Sequence, residues 1–73
     1  RLYQFKSMTV PNGELILLDY KTDHVSKQDG ADILKKRYKR QLDDYQQALE
    51  QMLQKKVRQK LIYSFALKCW IEI

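Results

Sequence analysis

Leu15-Ile16-Leu17-Leu18-Asp19-Tyr20-Lys21-Thr22-Asp23 decides how the rest of this chain is read. An unbroken aliphatic run passes directly into an acid, an aromatic and a base. A short run of this kind suits a strand buried on both faces, as in the middle of an α/β sheet. Side chains two apart on a strand share a face. Asp19 and Lys21 therefore point the same way, with Leu17 deeper on that face, while Leu18 and Tyr20 take the other. The strand ends by presenting one carboxylate and one ammonium side by side. Such a pair is costly to bury without further partners, so the strand is expected to end at solvent or at a ligand.

Working outward, Pro11-Asn12-Gly13-Glu14 is a turn signal with Asn-Gly at its centre. Before it, residues 2–10 carry Tyr3, Phe5, Met8 and Val10 in partial alternation and read as a strand. The two strands are expected to form an antiparallel hairpin. Residues 22–30 are polar and read as a loop, with Asp29 or Asp32 placed to cap a helix after it. Over 31–55, Leu34, Tyr38, Leu42, Tyr45, Leu49, Met52 and Leu53 recur mostly at steps of three and four, which predicts that helix. Residues 60–67, with Leu61, Ile62, Tyr63, Phe65 and Leu67, predict a further strand, and 69–73 continue it or form another. A strand–helix–strand crossover makes the flanking strands parallel and right-handed. The fold class is α/β: a β-hairpin, a long α-helix and a returning β-strand.

Composition sets outer limits. The chain has 73 residues, room for one small domain, and a domain this short buries only about 60% of its unfolded surface. It is expected to be a piece of something larger. The single cysteine, Cys69, allows no internal disulfide and suits a reducing cytosol, so a cytoplasmic location is expected. No apolar run approaches the roughly 18 residues of a membrane span, and residues 1–10 lack the apolar core of a signal peptide. Fourteen Lys and Arg against nine Asp and Glu give a net charge of +5, which favours a polyanionic partner or simply solubilises the surface.

The Asp19–Lys21 arrangement suits metal-assisted phosphodiester cleavage. A hard cation such as Mg2+ takes oxygen ligands; Asp19 supplies one, and the Tyr20 backbone carbonyl is positioned to supply another. Lys21 can orient water or neutralise charge building on phosphoryl oxygens. The competing reading is a strand-end salt bridge, common on protein surfaces.

The longer string resembles motif III of the PD-(D/E)XK nuclease superfamily. Its form Asp19-Tyr20-Lys21-Thr22-Asp23 is similar to the RecB-like nuclease domains of bacterial helicase–nucleases. Gln41-Leu42-Asp43-Asp44-Tyr45, preceded by Tyr38, resembles the Gln-X-X-X-Tyr motif of the same group. Two linked motifs in order are more specific than either alone, and the likeness runs from the hairpin to the strand near Phe65. It is greatest to the C-terminal nuclease domain of the A subunit of AddAB/RexAB-type helicase–nucleases, AddA/RexA. The resemblance implies that residues 1–73 are one partial nuclease domain, a fragment of the restriction-endonuclease-like core, from the C-terminal part of a larger protein. It implies an Mg2+-dependent deoxyribonuclease (Mn2+ substituting) that is exonucleolytic on single strands fed by a helicase, in double-strand break repair and recombination. The implied partners are DNA and a B subunit completing the heterodimer, with no membrane. Asp19 would be a metal ligand with the Tyr20 carbonyl, Lys21 the catalytic lysine, and Gln41 and Tyr45 would line the DNA side.

The sequence departs from the family pattern in one respect. Such nucleases carry a first acidic ligand on the preceding strand, and residues 2–10 contain no Asp or Glu. Glu14 is the only acid before Asp19, and it lies in the turn. The expectation is truncation just after that acid, or an inactivated domain. In either case these 73 residues alone are expected to bind metal poorly and cut little. Two other classes stay open: a non-catalytic DNA- or protein-binding module with a degenerate nuclease fold, and a stand-alone RecB-like nuclease.

Lys35, Lys36, Lys39 and Arg40, with Arg37, form a basic cluster on the first half of the helix, read as phosphate contacts or as a solvated face. Lys55, Lys56, Arg58 and Lys60 form a second cluster near the helix C-terminus, where they would complement the macrodipole. His24 reads as a surface loop residue, Asp23 as fixing Thr22 or capping a turn, with a metal role as the less favoured alternative, and Cys69 and Trp70 as packing residues near the end of the fold. No Gly-rich phosphate loop is present, so ATP belongs only to the helicase part implied for the parent protein.

Overall fold

The hairpin, helix and returning strand occur in that order, and a fourth strand closes the sheet. The structure is a computed structural model that describes residues 6–73, with side chains from Ser7 onward. Strand β1 spans Lys6–Thr9, β2 Leu15–Lys21, helix α1 Gly30–Leu53, β3 Val57–Ser64 and β4 Cys69–Glu72. Of the strand expected over 2–10, residues 2–5 lie outside the described residues. The sheet order is β1-β2-β3-β4, with β1/β2 antiparallel, β2/β3 parallel and β3/β4 antiparallel.

The β1–β2 turn follows the chemistry of its sequence. Gly13 sits at φ 88°, a conformation open to glycine at little cost. Its N–H donates to the Val10 carbonyl at 2.9 Å, and the Asn12 side chain accepts from the Glu14 N–H at 3.0 Å.

Helix α1 covers one face of the sheet. In its stripe, Leu42 packs in one cluster with Leu15, Leu17, Val57 and Ile62, and Leu34 on α1 and Ile71 on β4 are buried as well. Tyr38, Tyr45, Leu49 and Ile73 pack around this core. The aliphatic run in β2 is therefore not buried on both faces: Leu15, Leu17 and Asp19 are buried, Ile16 and Leu18 half-buried, and Tyr20 exposed. The second face carries an aromatic cluster instead, with Tyr63 ring centroids 5.2 Å from Trp70 and 5.3 Å from Phe65, and Tyr20 5.7 Å from Trp70. Trp70 packs in this cluster, as expected of a packing residue, although it remains partly open to solvent, whereas Cys69 is exposed. Trp70 pairs in register with Tyr63, on the side of the sheet away from α1.

Three boundaries differ from the sequence reading, each for a local reason. The third strand starts at Val57, not near 60, because a bulge between Leu15 and Ile16 lets Val57 and Lys60 both face α1 and so breaks the period of two. It stops at Ser64, not 67. The buried Ser64 hydroxyl accepts the Leu67 N–H at 3.0 Å, and Lys68 adopts φ 56°, so Phe65 and Leu67 belong to the turn. Helix α1 ends at Leu53 with Gln54 left-handed at φ 54° and no basic residue in its last turn. Lys55 and Lys56 lie beyond it and Arg58 and Lys60 on β3, so the second basic cluster does not serve the macrodipole. At the other end, Asp29 occupies the N-cap position, but its carboxylate accepts from the Ser26 hydroxyl at 2.8 Å and makes no side-chain cap bond.

Candidate functional site

Asp19 and Lys21 do share the α1 side of β2, as the alternation requires. Asp19 is 2% exposed. One carboxylate oxygen accepts the Tyr20 N–H at 2.8 Å, and the other lies 3.0 Å from Lys21 Nζ. A buried carboxylate survives only with such compensation, since removing the counter-charge would leave a cost of several kcal/mol, about 3–5. Strand β1 pairs with β2 as far as Leu18, so among the described residues Asp19–Lys21 are flanked by β3 on one side only.

Helix α1 contributes the next layer. Lys21 Nζ lies 4.2 Å from the centroid of the Tyr38 ring, a cation–π contact. The Tyr38 hydroxyl points onward to Asp23, 2.9 and 2.8 Å from its two carboxylate oxygens. Arg37 donates to the same carboxylate. Partial burial pushes the Asp23 carboxyl upward, but hydrogen bonds from Tyr38 and Arg37 and the Arg37 charge outweigh it and hold the pKa below the usual range. Burial, and then the bond to Asp23, raise the Tyr38 phenol. The bond to Asp23 likewise raises Arg37. Asp19, Lys21, Tyr38, Asp23 and Arg37 thus form one connected line from the strand end through the following loop to the helix.

The other motif residues take separate places. Gln41 is half-buried on α1, beside buried Leu42. Tyr45, two turns beyond Tyr38, packs against the cluster of Leu15, Leu17, Leu42, Val57 and Ile62. In the basic cluster, Lys35, Lys36, Lys39 and Arg40 are all exposed. Lys39 pairs with Asp43 at 2.8 Å and Arg40 approaches Asp44 at 3.9 Å, one turn on, while Arg37 has left the cluster for Asp23. At 100° per residue, Lys35 and Lys39 lie on the flank of α1 towards β3, whereas Arg37 and Gln41 lie on the other flank. The four basic residues therefore do not adjoin Gln41 as one surface. His24 is exposed in the loop.

Sequence reasoning missed two features here. One is the partnership of Asp23 with Tyr38 and Arg37, which spans 14 and 15 residues and leaves no local signature. The other is Lys60, whose Nζ bonds Asp43 at 2.6 Å and Gln46 at 2.8 Å. The bonds from Lys39 and Lys60 lower the Asp43 pKa. Had Arg58 been recognised as a bulge residue, Lys60 would have been read as facing α1.

Among the described residues, no group of three His, Cys, Asp or Glu side chains converges on one point. Glu14 sits in the β1–β2 turn, at the opposite end of β2 from Asp19. Mg2+ commonly uses one or two carboxylates and completes its octahedron with water and phosphate. Asp19 and the Tyr20 carbonyl could supply two positions of such a shell, and the described residues do not complete a protein cage. No helix among them is long and apolar enough to cross a membrane.

No family model matches the chain. Individual curated proteins do. A protein of Exiguobacterium sibiricum, described as the A subunit of an ATP-dependent helicase/nuclease, is 50% identical over 62 residues, covering 80% of this chain. A protein of the same description from Clostridium beijerinckii is 43% identical over 84% of the chain, and one from Ligilactobacillus salivarius 50% over 74%. The chain spans about 5% of the length of the first two relatives and 4% of the third.

Proposed function

From the premise that this chain is similar to a segment of the AddA-type chain of ATP-dependent helicase/nucleases, we propose that it carries half of a DNA-cleaving site. The observation that carries the reading is the buried Asp19 carboxylate paired with Lys21 at the end of a central strand. A structural salt bridge gains little from burying its acid so completely, because desolvation offsets the Coulombic attraction. A site for a phosphodiester does gain: a dry, fixed carboxylate and a fixed ammonium keep their geometry as charge develops on the phosphoryl group.

In this reading the fold is part of a restriction-endonuclease-like core. Asp19 and the Tyr20 carbonyl would hold Mg2+ or Mn2+, which supplies Lewis acidity towards phosphate and lowers the pKa of water in its shell. Lys21 donates to a phosphoryl oxygen or orients the attacking water. Its partner Asp19 keeps the ammonium directed. Gln41 and Tyr45 support the site from α1, and Lys35, Lys36, Lys39 and Arg40 contribute sequence-independent attraction to the DNA backbone. The parent activity would be exonucleolytic degradation of single strands delivered by an ATP-driven motor, in break repair and recombination, in a heterodimer with a B subunit. One carboxylate at the site is the reason the 73 residues in isolation are expected to bind the metal weakly and cleave little.

Asp19→Ala in the full-length protein tests this directly. Mg2+-dependent DNA cleavage should fall by about 100-fold or more, with the protein still folded and its ATPase intact. Normal cleavage by that variant would leave Asp19–Lys21 as a salt bridge and no more.

A further inference from the structure

Resting on the nuclease reading, we infer that Tyr38 is the positioning residue for Lys21: its ring seats the ammonium, and Asp23 and Arg37 lock the ring. Lysine carries its charge on a flexible four-carbon stem, so one ion pair by itself lets the ammonium swing about its partner. Asp19 fixes the distance of Nζ at 3.0 Å, but not its direction. The Tyr38 ring, 4.2 Å away, supplies a second attraction from the helix side. A carboxylate and a ring face from different elements together define a position that neither defines alone.

The ring is itself held. An ordinary half-buried tyrosine turns its hydroxyl to water. Here the hydroxyl lies within 2.9 Å of both oxygens of Asp23, which follows Lys21 by two residues. The segment that carries the lysine thus also clamps the aromatic that seats it, and any shift of the strand end moves both together. Arg37 completes the device. By binding Asp23 with Tyr38, it takes up a carboxylate charge that would otherwise compete with Asp19 for the ammonium. The cost of a misplaced catalytic group is steep: about 1 Å can lower a rate on the order of 100-fold.

The test uses the full-length protein in Mg2+-dependent cleavage of single-stranded DNA. Tyr38→Phe keeps the ring, Tyr38→Leu removes it, and Asp23→Asn loosens it. Tyr38→Leu is expected to lower kcat about 10- to 100-fold with KM within about twofold of the parent, and Tyr38→Phe to restore all but about threefold of that loss. Asp23→Asn should fall between, at about three- to tenfold. A structural readout runs beside the kinetics. With lysine amines 13C-methylated, the Lys21 resonance should show an upfield ring-current shift that persists in Tyr38→Phe and vanishes in Tyr38→Leu.

Tyr38→Leu turning over within about twofold of the parent, or a loss that Phe does not rescue, would overturn the assignment. If Tyr38→Leu does not fold, Asp23→Asn carries the decision, and unchanged kcat overturns it. Lys21→Ala separates this inference from the reading beneath it. A Lys21→Ala protein that cleaves normally removes the nuclease reading. An inactive one beside a fully active Tyr38→Leu removes only the seat.

Discussion

Lys21 and Lys60 make a natural pair. Each lies on a central strand beneath α1, and their side chains are almost equally exposed, 18% and 17%. Their partners differ. Lys60 reaches up to Asp43 and Gln46 on the helix, and Asp43, itself 38% exposed, also takes Lys39. It ties β3 to α1 through groups that water already reaches. Lys21 is paired with a carboxylate in its own strand that water does not reach, and it is seated on a ring that a loop holds in turn. Burial of the lysine does not distinguish the two pairs. What distinguishes them is whether the partner acid is solvated and whether the geometry is fixed from more than one element.

The largest expected effect breaks the pair apart by activity. In the full-length protein, Lys21→Met should reduce DNA cleavage by about 100-fold or more, and it should also lower the melting temperature, because it leaves the buried Asp19 carboxylate without its counter-charge. Lys60→Met should leave kcat unaltered. Single-turnover cleavage together with thermal melting checks both. Equal losses of cleavage in the two variants would mean that the distinction drawn from their partners is empty.

For Lys60 the expected change is one of stability, on a smaller scale. Lys60→Met removes two hydrogen bonds between β3 and α1 and leaves Gln46 and Asp43 to water and Lys39. With Asp43 partly exposed, the loss should be about 1 kcal/mol, read as a shift in the denaturation midpoint at constant slope. Gly30→Ala gives a control elsewhere in the fold. An added Cβ would lie 2.8 Å from Val25 Cγ2 and 3.1 Å from Leu67 Cδ2, and the neighbours' shift should cost about 1 kcal/mol.

Acid titration sharpens the same contrast. Bonds from Lys39 and Lys60 depress Asp43 below its ordinary value of 3.8, and Tyr38 and Arg37 depress Asp23 in spite of its partial burial. A carboxyl depressed in the folded state stabilises fully above its unfolded pKa, and that contribution is lost as pH falls through the folded value. Stability should therefore decline below about pH 4, where the unfolded chain takes up protons first. Asp43→Asn should flatten that decline in chemical denaturation, and Lys60→Met should flatten it in part. A slope unchanged by either would remove Asp43 from the account.

How much of this was legible beforehand depends on the range over which each signal acts. The strand, its facing pair and the helix stripe rest on periods of two and about 3.6, which local sequence carries in full. The bulge at Arg58 is a mismatch between two strands, so neither strand's own sequence reveals it. Trp70 was read as a packing residue, but size and hydrophobicity do not say which face of a sheet a helix covers, so its place in the aromatic cluster was not legible. Asp19 and Lys21 were legible because they sit two apart; Tyr38, which touches Lys21 from the helix, needed the fold. The motif resemblance drew attention to Gln41 and Tyr45, and Tyr45 proves to pack against the core.

The smallest effect concerns a third kind of lysine, exposed on the helix. Lys35 and Lys36 stand on α1 in solvent, whereas Lys39 and Arg40 lie near acids of the next turn. If the helix meets a DNA backbone, the contribution per charge is counterion release, and removing one phosphate interaction lowers the salt slope of log Kd by about one. Lys35→Glu with Lys36→Glu should therefore weaken single-stranded DNA binding by several-fold at about 50 mM salt, converging on the parent near about 300 mM, roughly the range where screening lengths fall below 10 Å. Reversing Lys39 should do less, because its charge is already partly balanced by Asp43 and the change also removes that pair. Parallel salt titrations by fluorescence anisotropy would show the ranking. Equal slopes for all variants would mark this surface as solvated only.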